Sequence, residues 1–222
     1  MGVKAAALAL VAAAVGPVVA APLTVALGPG VAVDWGRGVI TARGFGPADR
    51  NAPSPAVARV AAERAAIARA RVALAAAVAA VPGWRTLGLD PAAPAVAREV
   101  AAAPVLALER GTDGSVTATV GLGVEAVRQA AAGPRVIVGD DGPPVVVAID
   151  VRALAPAVVP AVGLELIGAG GARWRGPIRF AHGPPAGVAA EPATGAVGAR
   201  LMIAGAVPGA GATVVVVVPP EP

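Results

Sequence analysis

The stretch from Val116 to Asp141, "VTATVGLGVEAVRQAAAGPRVIVGDD", holds the residues best spaced for chemistry. A strand-like run leads into Gly121-x-Gly123-x-x-Ala126, a helix-like run follows, and a second apolar run ends at Asp140. In a dinucleotide-binding turn, glycines at this spacing let a pyrophosphate approach a helix amino terminus, and an acidic residue about 20 positions on holds the ribose. The competing reading is a hairpin strand that runs into a short helix. The second reading is favoured, because the strand already has a hairpin partner in sequence and the helix has room for only about ten residues. The amino terminus, read below, also looks like an export signal, which would take the chain away from dinucleotide pools. A nucleotide- or dinucleotide-binding enzyme built on 116–141 stands as the alternative function.

The other reactive side chains are few. His182 is the sole histidine and lies in a Gly/Pro stretch, "FAHGPP". One imidazole cannot furnish a multi-ligand metal site, so a surface position is expected. Ser54 and Ser115 are the only serines. Ser54 suits a helix cap and Ser115 a strand start, and neither sits in a nucleophile elbow. Asp140-Asp141 could take calcium, but turns favour Asp for local hydrogen bonds, and two carboxylates alone make a poor site. The absence of cysteine excludes disulfides, thiolate zinc, thiol catalysis and lipidation through a cysteine. Trp35, Trp84 and Trp174 read as core or edge anchors. No catalytic residue, metal ligand or cofactor is nominated, and the expectation is of a protein that is not an enzyme.

The elements that would position these residues are built from small side chains. The chain is 56% hydrophobic but only 2% aromatic, so its core must come from many closely packed Ala and Val residues. Gly 29 and Pro 23 make up nearly a quarter of the 222 residues, which implies short elements and many turns. Residues 31–46 read as strand. Asn51-Ala52-Pro53-Ser54-Pro55 breaks it, with Ser54 placed as N-cap and Pro55 as first helical residue. A helix follows to about 81 and stops at Pro82-Gly83. Val57, Val60, Ile67, Leu74, Val78 and Val81 fall within one apolar arc of about 120°. Arg64 and Arg71 flank the arc, and Arg59 is spaced to pair with Glu63.

A short helix is expected over 91–103. The segment "PVLALERGTDGSVTATVGL" reads as a hairpin, with strands at 104–110 and 115–121 around Gly111–Gly114. A helix at 123–132 and strands at 135–138 and 144–151 come next. In the remainder, "LELIGAGGARWRG" at 164–176, "ARLMIAG" at 199–205 and "ATVVVVV" at 212–218 read as strands joined by Gly/Pro loops, with "VVVVV" at 214–218 as a buried strand. The fold class is therefore α+β: one long amphipathic helix on an antiparallel sheet in residues 21–133, then a β-rich region in 134–222.

Charge and the amino terminus set the location. Lys4 is the only lysine, and 17 Arg face 14 Asp+Glu. With so little titrating between carboxylates and guanidiniums, a small basic excess is enough to give a pI near 11. The arginines are scattered along the sequence, so a nucleic-acid partner is not expected. The opening "MGVKAAALALVAAAVGPVVAAP" has a positive start, an apolar run, a Gly16-Pro17 break and small residues at Val18-Val19-Ala20. That is the plan of a signal peptide, residues 1–20, with cleavage after Ala20. Retention of the leader as a membrane anchor is the rival reading. No integral membrane span is expected in the mature chain.

Asp34-Trp35, the strand "GVITARGFG", the break, and the helix "ARVAAERAAIARARVALAAAV" form one unit. It resembles the Lpp-twenty lipoprotein family, which includes the amino-terminal domain of flagellar assembly protein T. The resemblance rests on Gly44-Phe45-Gly46, on Glu63-Arg64-Ala65-Ala66, Ala70-Arg71 and Leu74, and on the hairpin strand "SVTATVGL". "VVVAIDVRAL" at 145–154 is similar to a recurring segment of exported relatives, so the likeness spans 34–154. The chain departs from the family in lacking a lipobox cysteine and in a shorter region after the helix. The resemblance implies a periplasmic or secreted, non-catalytic envelope protein. Its role would be structural, in assembly or protein binding, with a flagellar or surface association by analogy. The partners implied are other envelope proteins or a second copy of the chain.

Overall fold

The computed structural model describes residues 23–133, 145–155, 158–209 and 212–220. The expected signal peptide, the strand at 135–138 and Asp140-Asp141 lie outside the described residues. The fold is α+β. Its first sheet holds β1 (Thr24–Gly28), β2 (Val31–Asp34), β3 (Val39–Gly46), β4 (Val105–Arg110) and β5 (Val116–Gly123). The order is β1-β2-β3-β5-β4, with every neighbouring pair antiparallel. The segment 31–46 is strand, as expected, and its two runs, "VAV" and "GVITARGFG", fold into a β2–β3 hairpin with Asp34 opposite Val39. The turn falls at Trp35–Gly38, and Gly38 takes a positive φ that favours glycine.

Helix α1 (Pro55–Ala80) crosses one face of this sheet. The Ser54 side chain caps it by accepting from the Val57 N–H at 3.3 Å, and Pro55 opens it. Along β3, Ile40, Ala42, Gly44 and Gly46 are buried while their alternating neighbours are not, as a half-covered strand requires. The buried series shrinks from isoleucine to glycine along the strand. α1 answers it: Ala62, Ala66 and Ala70 are buried over the glycine end, and Leu74 and Val78 pack in the main core with Ile40. Helix and sheet therefore converge like the arms of a wedge, and side-chain size on both surfaces follows the gap.

That wedge corrects the expected stripe. Leu74, Val78 and Val81 are buried as expected, and Ile67 packs partly buried beside Ala62 and Ala66. Val57 and Val60 are instead 49% and 50% exposed. At the glycine end the backbones approach too closely for any side chain larger than alanine to lie between them, so the valines stay at the flank. Glu63 pairs across to Arg110 of β4 at 3.5 Å and not with Arg59. Helices α2 (Trp84–Leu87), α3 (Pro94–Ala102) and α4 (Val124–Ala132) complete this half. The Trp84 indole N–H donates to the Val78 carbonyl at 2.8 Å, which ties α2 to the end of α1.

The second sheet contains β6 (Val146–Asp150), β7 (Glu165–Ile167), β8 (Arg173–Trp174), β9 (Ile178–Ala181), β10 (Ala190–Val197), β11 (Arg200–Ile203) and β12 (Thr213–Val217). Its order is β8-β7-β11-β10-β6-β12-β9. β12 lies parallel to both β6 and β9 and is buried over Val214–Val217, as its run of valines predicts. Only Arg175, Gly176 and Pro177 separate β8 from β9, the two edges of this sheet. Four residue steps reach at most about 14 Å, whereas flat seven-stranded edges would stand about 29 Å apart. The sheet is therefore strongly curled, with β8 and β9 brought near one another across an unpaired seam. β9 and β10 were not expected as strands, because Pro192 and Gly195 interrupt the pattern in β10.

The two sheets share a core. Trp35 and Phe180 meet edge to face, with ring centroids 5.4 Å apart, and the Phe180 N–H donates to the Trp35 carbonyl at 3.3 Å. Buried residues of both halves, among them Val33, Ile40, Val127, Ile149, Phe180 and Val216, form one contiguous cluster, and Ala62, Ala66, Val116 and Ala118 form a second under the glycine end of β3. All three tryptophans are buried in the first.

Candidate functional site

The turn singled out for nucleotide chemistry has other steric work. A Cβ on Gly121 would meet the end of the Leu106 side chain at 2.5 Å, so glycine here makes room for that side chain. A Cβ on Gly123 would lie 3.8 Å from that of Ala126, an ordinary contact. The first N–H of α4, on Val124, is already given to the Gly38 carbonyl at 2.8 Å. β5 has antiparallel partners on both sides, β3 and β4, so no strand position beside it remains for a parallel crossover.

α4 does border a cleft. A cavity of about 310 Å³ lies where the two sheets meet, lined among others by Trp35, Arg37, Glu125, Arg128, Ile178 and Arg179. Arg128 is only 5% exposed. Its Nε donates to Glu125 Oε2 at 2.7 Å, a second N–H reaches Oε1, and Gln129 Nε2 donates to Oε1 at 2.9 Å. A buried guanidinium held bidentately by one carboxylate is a positioned charge pair. Arg37 and Arg179 bring exposed guanidiniums to the same cleft.

The residues singled out one by one do not converge. Ser54 caps α1. Ser115 donates its hydroxyl to Asp113 Oδ1 at 2.6 Å in the β4–β5 turn. That bond and the Ser115 backbone N–H hold the Asp113 carboxyl below the usual carboxylate range. His182 is half-buried, with Nδ1 3.1 Å from the Pro219 carbonyl.

The charge cluster that sequence reasoning missed is on the curled sheet. Arg200 lies opposite Glu165 in the β11–β7 ladder, and Arg173 lies opposite Ile167 in the β7–β8 ladder, so Arg175 continues the register to Glu165. Glu165 accepts from Arg175 Nε at 2.8 Å and from Arg200 Nε at 3.1 Å, and Arg173 approaches at 3.7 Å. Leu166 and Trp174 of the opposite parity are buried in the core, which puts Glu165 and its arginines on the outer face. Glu165 is nevertheless 3% exposed, because the arginines lie over it. Burial alone would raise its carboxyl, but the Arg175 hydrogen bond and the charges of Arg175, Arg173 and Arg200 outweigh that and hold it below the usual range. The arginines are scattered in sequence, as expected, yet the sheet gathers three of them. The only sequence trace is the alternation Arg173-Trp174-Arg175.

A third feature is the face of the first sheet that points away from α1. Phe45 and Leu106 are 51% and 55% exposed on the side away from α1, beside an Arg43–Glu109 ion pair of 2.9 Å. β4 is an outermost strand. Among the described residues, no helix is long and apolar enough to cross a membrane. No family model, curated protein or solved structure matches the chain.

Proposed function

We propose that the chain is an exported, non-catalytic envelope protein with a structural, assembly or protein-binding role. The observation that carries the reading is on the side of the first sheet away from α1: Phe45 and Leu106 are exposed on one face, and Leu106 lies in β4, the outermost strand among the described residues. Exposed apolar side chains on an outermost strand are what another protein's strand or sheet can cover. The leader-like residues 1–20 support export, and Gly44-Phe45-Gly46 beneath Ala62, Ala66 and Ala70 supports the Lpp-twenty-like resemblance. The partners proposed are other envelope proteins or a second copy of this chain. A flagellar or surface link rests on the resemblance alone.

The alternative, a nucleotide-binding enzyme using 116–141, has less support because Gly121 is accounted for by Leu106 and β5 is paired on both sides.

The test is crosslinking of the full chain in its native envelope, together with mass analysis of the mature amino terminus. The expected results are a chain that starts at Ala21 and a crosslinked species lost in Leu106→Asp. A start at Met1 removes the cleavage claim. A crosslinking pattern indifferent to both Leu106→Asp and Phe45→Asp removes the binding claim.

A further inference from the structure

We infer that the Arg173/Arg200 surface of the curled sheet is a binding site for a phosphate-class oxyanion. It stands apart from the proposed export and assembly role. Arg175 and Arg200 each spend their Nε on Glu165, and this fixes both side chains over the strand face. Arg173 comes no nearer than ion-pair distance, 3.7 Å, and makes no hydrogen bond among the described residues. Arg173 turns Nη1 toward Glu165, and the side chains of Arg173 and Arg200 remain 56% and 50% exposed, so both offer guanidinium surface to solvent. Arg173 and Arg200, both half-exposed, share one buried carboxylate on this rim, which leaves the pair cationic, and a second anion completes the alternation of charge.

Guanidinium is the group suited to this, since its planar fork matches phosphate oxygens in pairs and it never loses its charge. Access is open. The β7–β8 loop beside Arg173 is Gly168-Ala169-Gly170-Gly171, and a Cβ on Gly170 or Gly171 would meet nothing within 4 Å. The shared chemistry is a phosphate group, whether carried by a small solute or by a lipid headgroup.

The test follows the Arg Nε–Hε resonances of the ¹⁵N-labelled protein during titration with pyrophosphate, at ionic strength held constant with chloride. A parallel arm sediments the protein with phosphatidylglycerol vesicles and with phosphatidylcholine vesicles. Saturable shifts of Arg173 and Arg200 assign a solute ligand. Binding to the anionic vesicles alone assigns a headgroup, and either outcome supports the site. Arg173→Gln leaves both hydrogen bonds to Glu165 intact and should weaken binding about tenfold. Arg173→Gln with Arg200→Gln, its fold checked by circular dichroism, should abolish it. Shifts that chloride reproduces, no binding in either arm, or an Arg173→Gln protein that binds as the wild type would each overturn the inference.

Discussion

Gly46 of β3 faces the carbonyl of Ala62 in α1 with no room between them for a methyl group: a Cβ on Gly46 would overlap the Ala62 oxygen and lie 2.8 Å from its carbonyl carbon. Both sides of that contact are backbone, so nothing can swing away. The glycine is there to let a helix lie against a strand, and the same holds at Gly44 beneath Ala66 and Ala70.

Gly46→Ala should therefore destabilise the protein by about 1–3 kcal/mol, as overpacking of a close-packed core does. Gly28 in β1 is the control, since a Cβ there meets nothing within 4 Å. Gly28→Ala should be neutral or stabilising by up to about 1 kcal/mol. Urea midpoints of the two variants check the contrast, and equal midpoints would refute the wedge.

The two ends of α1 should respond differently to truncation. Leu74 is fully buried, and Leu74→Ala should cost about 2–5 kcal/mol. Val60 is half-exposed, and Val60→Ala should stay within about 0.5 kcal/mol. If the apolar arc expected from sequence governed packing, the two losses would be comparable.

Trp35 and Phe180 join the sheets, and their coupling can be measured. A double-mutant cycle with Trp35→Leu and Phe180→Leu should return about 0.5–1.5 kcal/mol of interaction for an edge-to-face pair. A coupling near zero would mean that the sheets do not depend on this contact.

Glu165 should leave a mark on acid unfolding. Its native carboxyl lies below the ordinary value, so the stabilisation is complete above the unfolded value of about 4.3 and is lost as pH falls through the native one. Glu165→Gln should lower stability at pH 7 by about 1.5–3 kcal/mol, the worth of hydrogen bonds to a charged group. The gap from wild type should close as pH drops below about 4. Asp150, lowered by its Arg152 hydrogen bond, acts with the same sign in both proteins and cancels from the comparison. A gap that persists unchanged at low pH would contradict the assignment.

What the sequence made legible was the punctuation. Ser54 and Pro55 announced the start of α1, and the Gly111–Gly114 turn announced the β4–β5 hairpin, because caps and turns are decided by local backbone chemistry. The valine run of β12 announced a strand buried on both sides. Which face of α1 is buried was not legible. Hydropathy ranks Val60 above Ala66, yet the gap over Gly44 and Gly46 admits only the smaller residue. The Glu165 cluster was equally hidden, since Glu165 and Arg200 are 35 residues apart and meet only through a parallel ladder.

The place of β12 bears on how the chain folds as it emerges. It follows every other described strand in sequence, yet it sits between β6 and β9 and bonds to both. Vectorial synthesis thus leaves these two without their common neighbour until residues 213–217 arrive. The curled sheet is keystone-like, completed by its latecomer, and its assembly should be slow and all-or-none, whereas the wedge of α1 on β3 can form early from residues close in sequence.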